Sequence, residues 1–172
     1  MDIRDLLIDG IGQLNAWMDE ALEPLSKEQL NWLPEGKATS AGFSAWHVIR
    51  TQDNIVNFVL QRKNPIWIEK GYVDRFGLPK VDQGTGMSLE DARGITIAEP
   101  DLLRQYNKEV GEDCIEYVKN VPLADLEEVQ QIKPLGEMSR AQVLRQVVMT
   151  HGFMHLGEIN FIKGVHGLEF SI

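Results

Sequence analysis

Apolar side chains recur every three or four positions through four long stretches of this 172-residue chain, with no convincing strand-like alternation anywhere. That spacing is the 3.6-residue period of an amphipathic helix, so each stretch must bury one stripe against a neighbour. Residues 3–22 carry Ile3, Leu6, Leu7, Ile11, Leu14, Trp17, Met18 and Leu22. Pro24 ends that helix, and Ser26 with Gln29 predicts a capping box opening a short helical turn. A second helix is expected from about residue 43 to 62, where Asn64-Pro65 stops it. A third begins at Pro100, a residue favoured at the first helical position, and runs to about Val121. Residues 122–136 read as a connector. A second capping box, Ser139 with Gln142, opens the last helix, which should continue to about Lys163. Its inward face reads Val143, Val147, His151, Met154, His155 and Ile162. Four long helices without an internal repeat predict an all-α fold, a four-helix bundle of the antiparallel type.

The second helix has an unusual surface. Phe43, His47, Arg50 and Asn54 share one side, beside an apolar strip of Ile49, Val56 and Leu60. Polar and apolar strips side by side suggest a helix that lines a pocket. After it, from Pro65 to about Glu99, the helical period disappears. Trp67, Tyr72 and Phe76 stand there among glycines and prolines, with a short helix suggested at Ser88-Leu89-Glu90-Asp91. A long irregular crossover inside a compact domain is uncommon and more often functional than decorative. Its three aromatics are candidates for the apolar wall of a pocket; the plainer alternative is a flap whose rings plug the end of the bundle.

Length and composition narrow the function classes. The chain is expected to form one domain over residues 1–172, large enough for a core without disulfides. A formal net charge of −9 argues against a nucleic-acid partner, since phosphate binding needs clustered Lys and Arg. Cys114 is the single cysteine, expected as a buried thiol. No apolar run approaches the roughly 20 residues of a membrane span. The N-terminus lacks the basic-then-apolar layout of a signal peptide, so a cytoplasmic location is expected.

Three of the four histidines lie on predicted helices, His47 on the second and the pair His151 and His155 on the last. Residues four apart on a helix share a face, about 6 Å apart along the axis. Both imidazoles can therefore reach one metal ion, and His47 can complete a half-shell. Three neutral nitrogens leave positions open for water or substrate, as in catalytic rather than structural sites. Gly152 follows His151, so the motif is not HExxH. Val148 and Ser44, three residues before His151 and His47, exclude the Glu-x2-His pattern of di-iron bundles. One metal ion is the economical count. Glu158, three residues after His155, shares that face as a fourth ligand, a partner for a ligating histidine or a proton acceptor. Arg50 and Asn54 are candidates to bind an anionic substrate group.

The segments TSAGFSAWHVIRTQDN around His47 and RQVVMTHGFMHLGEI around His151 and His155, about a hundred residues apart, resemble the DinB-like superfamily of metalloenzymes. The middle stretch FGLPKVDQGTGMSLEDA resembles a subgroup of it, and the resemblance covers essentially the whole chain. It implies an up-down-down-up bundle and a divalent metal, commonly zinc or nickel, on His47, His151 and His155. Relatives include mycothiol-dependent maleylpyruvate isomerase and bacillithiol S-transferases. The resemblance therefore implies a low-molecular-weight thiol cosubstrate and a transferase or isomerase, with hydrolysis as a further reaction class. It also implies a homodimer. The rival expectation is a non-catalytic metal-binding stress or interaction protein, and a third is a plain bundle with structural histidines.

Overall fold

The computed structural model describes residues 2–170. It is mostly helical, with one small hairpin. Helix α1 spans Ile3–Leu22, opened by a capping box in which Asp2 and Asp5 exchange side-chain and backbone bonds. Helix α2, Lys27–Leu30, starts at the predicted Ser26 box. Helix α3, Ala41–Asp53, begins at the Ser40 cap and continues into a π-helical stretch, Asn54–Leu60. Three short helices then punctuate the crossover, α4 at Ile66–Glu69, α5 at Tyr72–Phe76 and α6 at Leu89–Gly94. Helix α7 spans Pro100–Asn120 with its proline in the first turn, followed by α8, Leu123–Leu126.

The predicted connector contains more order than its sequence suggested. Strand β1, Val129–Ile132, pairs antiparallel with β2, Gly136–Ser139, with Val129 opposite Ser139 and Ile132 opposite Gly136. Ser139 then caps α9, Arg140–Val143, with both bonds of the expected box formed. A second π-helical stretch, Leu144–Thr150, leads without a break into α10, His151–Val165. A π turn holds more residues than an α turn, so it resets which face the following residues present. Here the residue after the reset is His151.

The long rods pack in a closed order. Helix α1 lies against α7 and α10, and α3 lies against the same two helices from the other side. Gly152 lets α10 seat close on α1: a Cβ there would stand 2.4 Å from Leu14 Cδ2. The crossover covers the remaining side of α3, so all thirteen of its residues are buried. Apolar contacts account for Phe43, Ala45, Trp46, Val48 and Ile49. Ser44, His47, Arg50, Thr51, Gln52 and Asp53 are also buried, and polar groups in such a place lose stability unless they find partners. The partners of Ser44, His47, Arg50 and Asp53 define the site. No helix among the described residues is long and apolar enough to cross a membrane.

Candidate metal centre

His47 on α3 meets His151 and His155 on α10. The three ring centroids are 4.7 to 4.9 Å apart, and the ring planes are close to perpendicular. One nitrogen from each ring lies within 4.8 Å of the other two. Residues on separate rods converge here because α3 and α10 are packed neighbours, and because the His151 and His155 rings rise from successive turns of one face.

Two of the three rings, His47 and His155, are held from behind. His47 Nδ1 contacts the Gln83 carbonyl, which can only accept, so Nδ1 carries the proton and Nε2 keeps its lone pair. That Nε2 faces His151 Nε2 at 3.0 Å. Phe43 stacks flat on the outer side of the His47 ring, 5.8 Å between centroids. His155 Nδ1 donates to Glu158 Oε2 at 2.7 Å, and the Ser44 hydroxyl donates to the same oxygen at 3.0 Å. Those bonds, led by the one from His155, hold the Glu158 carboxyl below its ordinary range, so it is ionised near neutral pH. An ionised carboxylate behind a histidine fixes the tautomer that points Nε2 away from it.

Electrostatics favour the neutral form of His47 and His151. Burial lowers the His47 pKa, although the Gln83 carbonyl opposes that shift. Burial also pushes His151 down to about 4, helped by the neighbouring His47 and His155, while Glu158 and the Val147 carbonyl pull the other way. Neutral imidazole is the form that ligates a metal, so little proton release is needed before binding. The donor set fits a divalent ion. A tetrahedral zinc with Zn–N of about 2.0–2.1 Å spans pairs of nitrogens by roughly 3.3 Å; here the His47 and His151 Nε2 atoms are 3.0 Å apart and all three nitrogens lie within 4.8 Å of one another. Without a cation, the His47 and His151 Nε2 atoms face each other at 3.0 Å and must share one proton.

The crossover reaches the site through Gln83 and Gly84. A Cβ at Gly84 would stand 2.7 Å from His47 Nδ1 and 3.1 Å from Phe43 Cζ, and its φ of +97° is one that other residues rarely adopt. Glycine is required there on both counts. The loop is positioned by a buried pair on α3. Arg50 Nη2 donates to the Asp82 carbonyl at 3.4 Å, its guanidinium lies 4.8 Å over the Trp67 ring, and Nη1 stands 3.8 Å from Asp53 Oδ2. Asp53 in turn accepts from the backbone N–H groups of Ile66 and Trp67, both at 2.9 Å, from Asn57 at 3.0 Å and from the Tyr106 hydroxyl at 2.6 Å. One carboxylate therefore anchors the start of the crossover and one guanidinium its middle.

Two sequence expectations change here. Arg50 is 2 % exposed and committed to Asp53, Trp67 and the Asp82 carbonyl, so it supports the loop over His47 rather than facing substrate. Trp67, Tyr72 and Phe76 are buried against one another and Tyr106 in the core, so they plug the fold and do not wall an open pocket. Their rings are too apolar to be left in water when Tyr106 offers a partner. Asn54 is half-buried at the start of its π-helical stretch and is not brought to the cluster. Ser44, Gln83 and Gly84 were not foreseen. The glycines at 84 and 86 marked a loop of special geometry, but nothing local showed where it would land.

An open cluster of three histidines between two packed helices defines a class of candidate metalloprotein. The chain belongs to the DinB superfamily, whose family model matches residues 13–159. Comparison with curated proteins gives no match. Among solved structures, the crystal structure of a conserved protein from Enterococcus faecalis is similar, with a TM-score of 0.86 and 20% identity. The match covers 97% of this chain and 99% of that one. At that identity the likeness speaks for the fold.

Proposed function

We propose that this chain is a divalent-metal-dependent enzyme acting on a small molecule, with zinc or nickel as its ion and thiol transfer or isomerisation as its reaction. The scaffold in this reading is an up-down-down-up bundle, supported by the closed packing order of α1, α7, α3 and α10. One observation carries the proposal: three imidazoles offer nitrogens within 4.8 Å, and no fourth ligating side chain joins that group among the described residues. Three protein ligands leave coordination positions for a reactant.

A bound divalent ion would supply Lewis acidity, lowering the pKa of a thiol or water. The chain's own residues do the rest. His47, His151 and His155 would hold the ion. The Gln83 carbonyl and the Glu158 carboxylate fix the tautomers of His47 and His155, so that Nε2 faces inward on each. Glu158, ionised and hydrogen-bonded by Ser44 and His155, is placed to take a proton released in the site. The Gln83–Gly84 segment closes over His47 and screens that ring from water.

The test is metal content followed by turnover. Protein expressed in metal-supplemented medium should carry about one ion per chain, and His151→Ala should lose it. Loaded protein should then turn over at least one pairing in a screen of small thiols against electrophiles. A folded wild-type chain that stays metal-free under those conditions refutes the proposal.

A further inference from the structure

Two of the exposed large apolar side chains, Met154 and Phe161, line one cleft beside the histidine cluster. A cleft of about 530 Å³ lies between the loop of residues 34–39 and α10, with Met154, Gly157 and Phe161 on its helical wall. That volume is within the range of small-molecule sites. Met154 and Phe161 are 68% and 66% exposed, although both are large and apolar. Beside a concave site they offer apolar contact area to a ligand. The opposite wall is fixed in advance. The Arg93 guanidinium donates to the carbonyls of Pro34 and Gly36, each at 3.3 Å, and to that of Ala38.

Gly157 is a separate pointer to a ligand. A glycine inside a helix is less stable than alanine would be. Close packing explains such a residue at Gly152, but no atom lies within 4 Å of where a Gly157 Cβ would stand. Its effect is to keep the cleft open. The polar side chains of the cleft are Glu158 and Ser44, with Lys37 and Thr39 on the loop side. Both bonds to Glu158 end on Oε2, which leaves Oε1 open to a donor.

We infer that this cleft binds a small molecule with an apolar body and a protonated amine, the amine seated on the Glu158 carboxylate. The inference names the substrate class of the proposed enzyme and in that sense rests on the reading above. Occupancy of the cleft does not itself require a metal. Because Glu158 also accepts from His155, a ligand there lies one carboxylate away from the cluster.

The experiment follows the Met154 methyl signal by NMR in the full chain, with and without zinc, and measures metal content separately. The probes are 4-phenylbutylamine and 4-phenylbutyrate. The amine should give a saturable shift at a concentration roughly ten-fold lower than the carboxylate, the expected weight of one charge-assisted hydrogen bond. Gly157→Leu, which adds a side chain into open space and favours the helix, should abolish the shift. Glu158→Gln should erase the preference for the amine. An absent shift, or an equal one in Gly157→Leu, overturns the inference. So does a sedimentation result in which Gly157→Leu breaks a dimer, which would assign this face to a second copy of the chain. If the amine binds while the protein takes up no metal, the cleft stands and the metalloenzyme reading fails.

Discussion

His151 carries the largest conflict in the site. Its ring is half-buried between two other imidazoles, and burial with those neighbours drives its pKa from 6.5 to about 4. In the unfolded chain the same ring takes up a proton near 6.5, so the two states differ in bound protons between those values. Where the unfolded state binds more protons, stability rises with pH. This contribution is therefore fully present above about 6.5 and is lost as pH falls towards about 4. His47, lowered by burial, acts in the same sense. Glu158, held low chiefly by the His155 bond, adds a further loss below its ordinary 4.5. Denaturant midpoints of the metal-stripped protein should thus decline from pH 7 to pH 4, and His151→Gln should flatten the upper part of that decline. A wild-type midpoint constant between pH 7 and pH 5 would show that the cluster is not buried as described.

Among the elements, the crossover and α3 act as one unit. Arg50 and Asp53, three apart on α3, hold the loop that brings the Gln83 carbonyl to His47. Removing the guanidinium leaves Asp53 with its four other donors, so the anchor at Ile66 and Trp67 survives while the one at Asp82 is lost. Arg50→Met is expected to fold with a loss of about 3–4 kcal/mol, the lower part of what breaking a buried pair does. It should weaken metal binding roughly ten-fold or more, as loss of the group orienting a ligand usually does. Competition with a chromophoric chelator reads the affinity, and ¹⁵N shifts of the His47 ring in metal-free protein read its tautomer. Unchanged affinity and tautomer would make Arg50 a packing residue only. This unit also marks what the sequence could and could not tell. Helix starts at Ser26, Pro100 and Ser139 were legible because caps are local. So was the histidine spacing, since i and i+4 share a face whatever the fold. The complete burial of α3, the hairpin and the landing of Gly84 on His47 depend on contacts far along the chain. Met154 was expected inward from its place on the stripe, yet it faces the cleft. The histidines turn towards α3, and the residue between them on the helix is left outside.

For the whole molecule, the cluster joins two rods that are otherwise held by packing and by the Ser44–Glu158 hydrogen bond. His47 stands on α3, His151 and His155 on α10, and these helices are separated in the chain by the crossover, α7 and the hairpin. The unfolded chain keeps His151 and His155 near each other but not His47, so an ion held by all three binds the native state much more tightly. Binding of that kind stabilises by about 2.7 kcal/mol at a hundred-fold excess over Kd. For a domain of this size that corresponds to a rise in Tm of roughly 5–10 °C. A chain of net charge −9 also attracts divalent cations loosely at its surface, so a rise alone would not identify the site. His47→Gln should abolish the rise with zinc while keeping the fold. His166→Gln, whose ring packs on Trp32 away from the cluster, should keep it. Scanning calorimetry of the three proteins with and without zinc separates the cases, and an equal rise in His47→Gln would place the ion elsewhere. The coupling also runs backwards: whatever loosens the crossover over His47 lowers affinity for the ion, because the third imidazole depends on a loop pinned from inside α3.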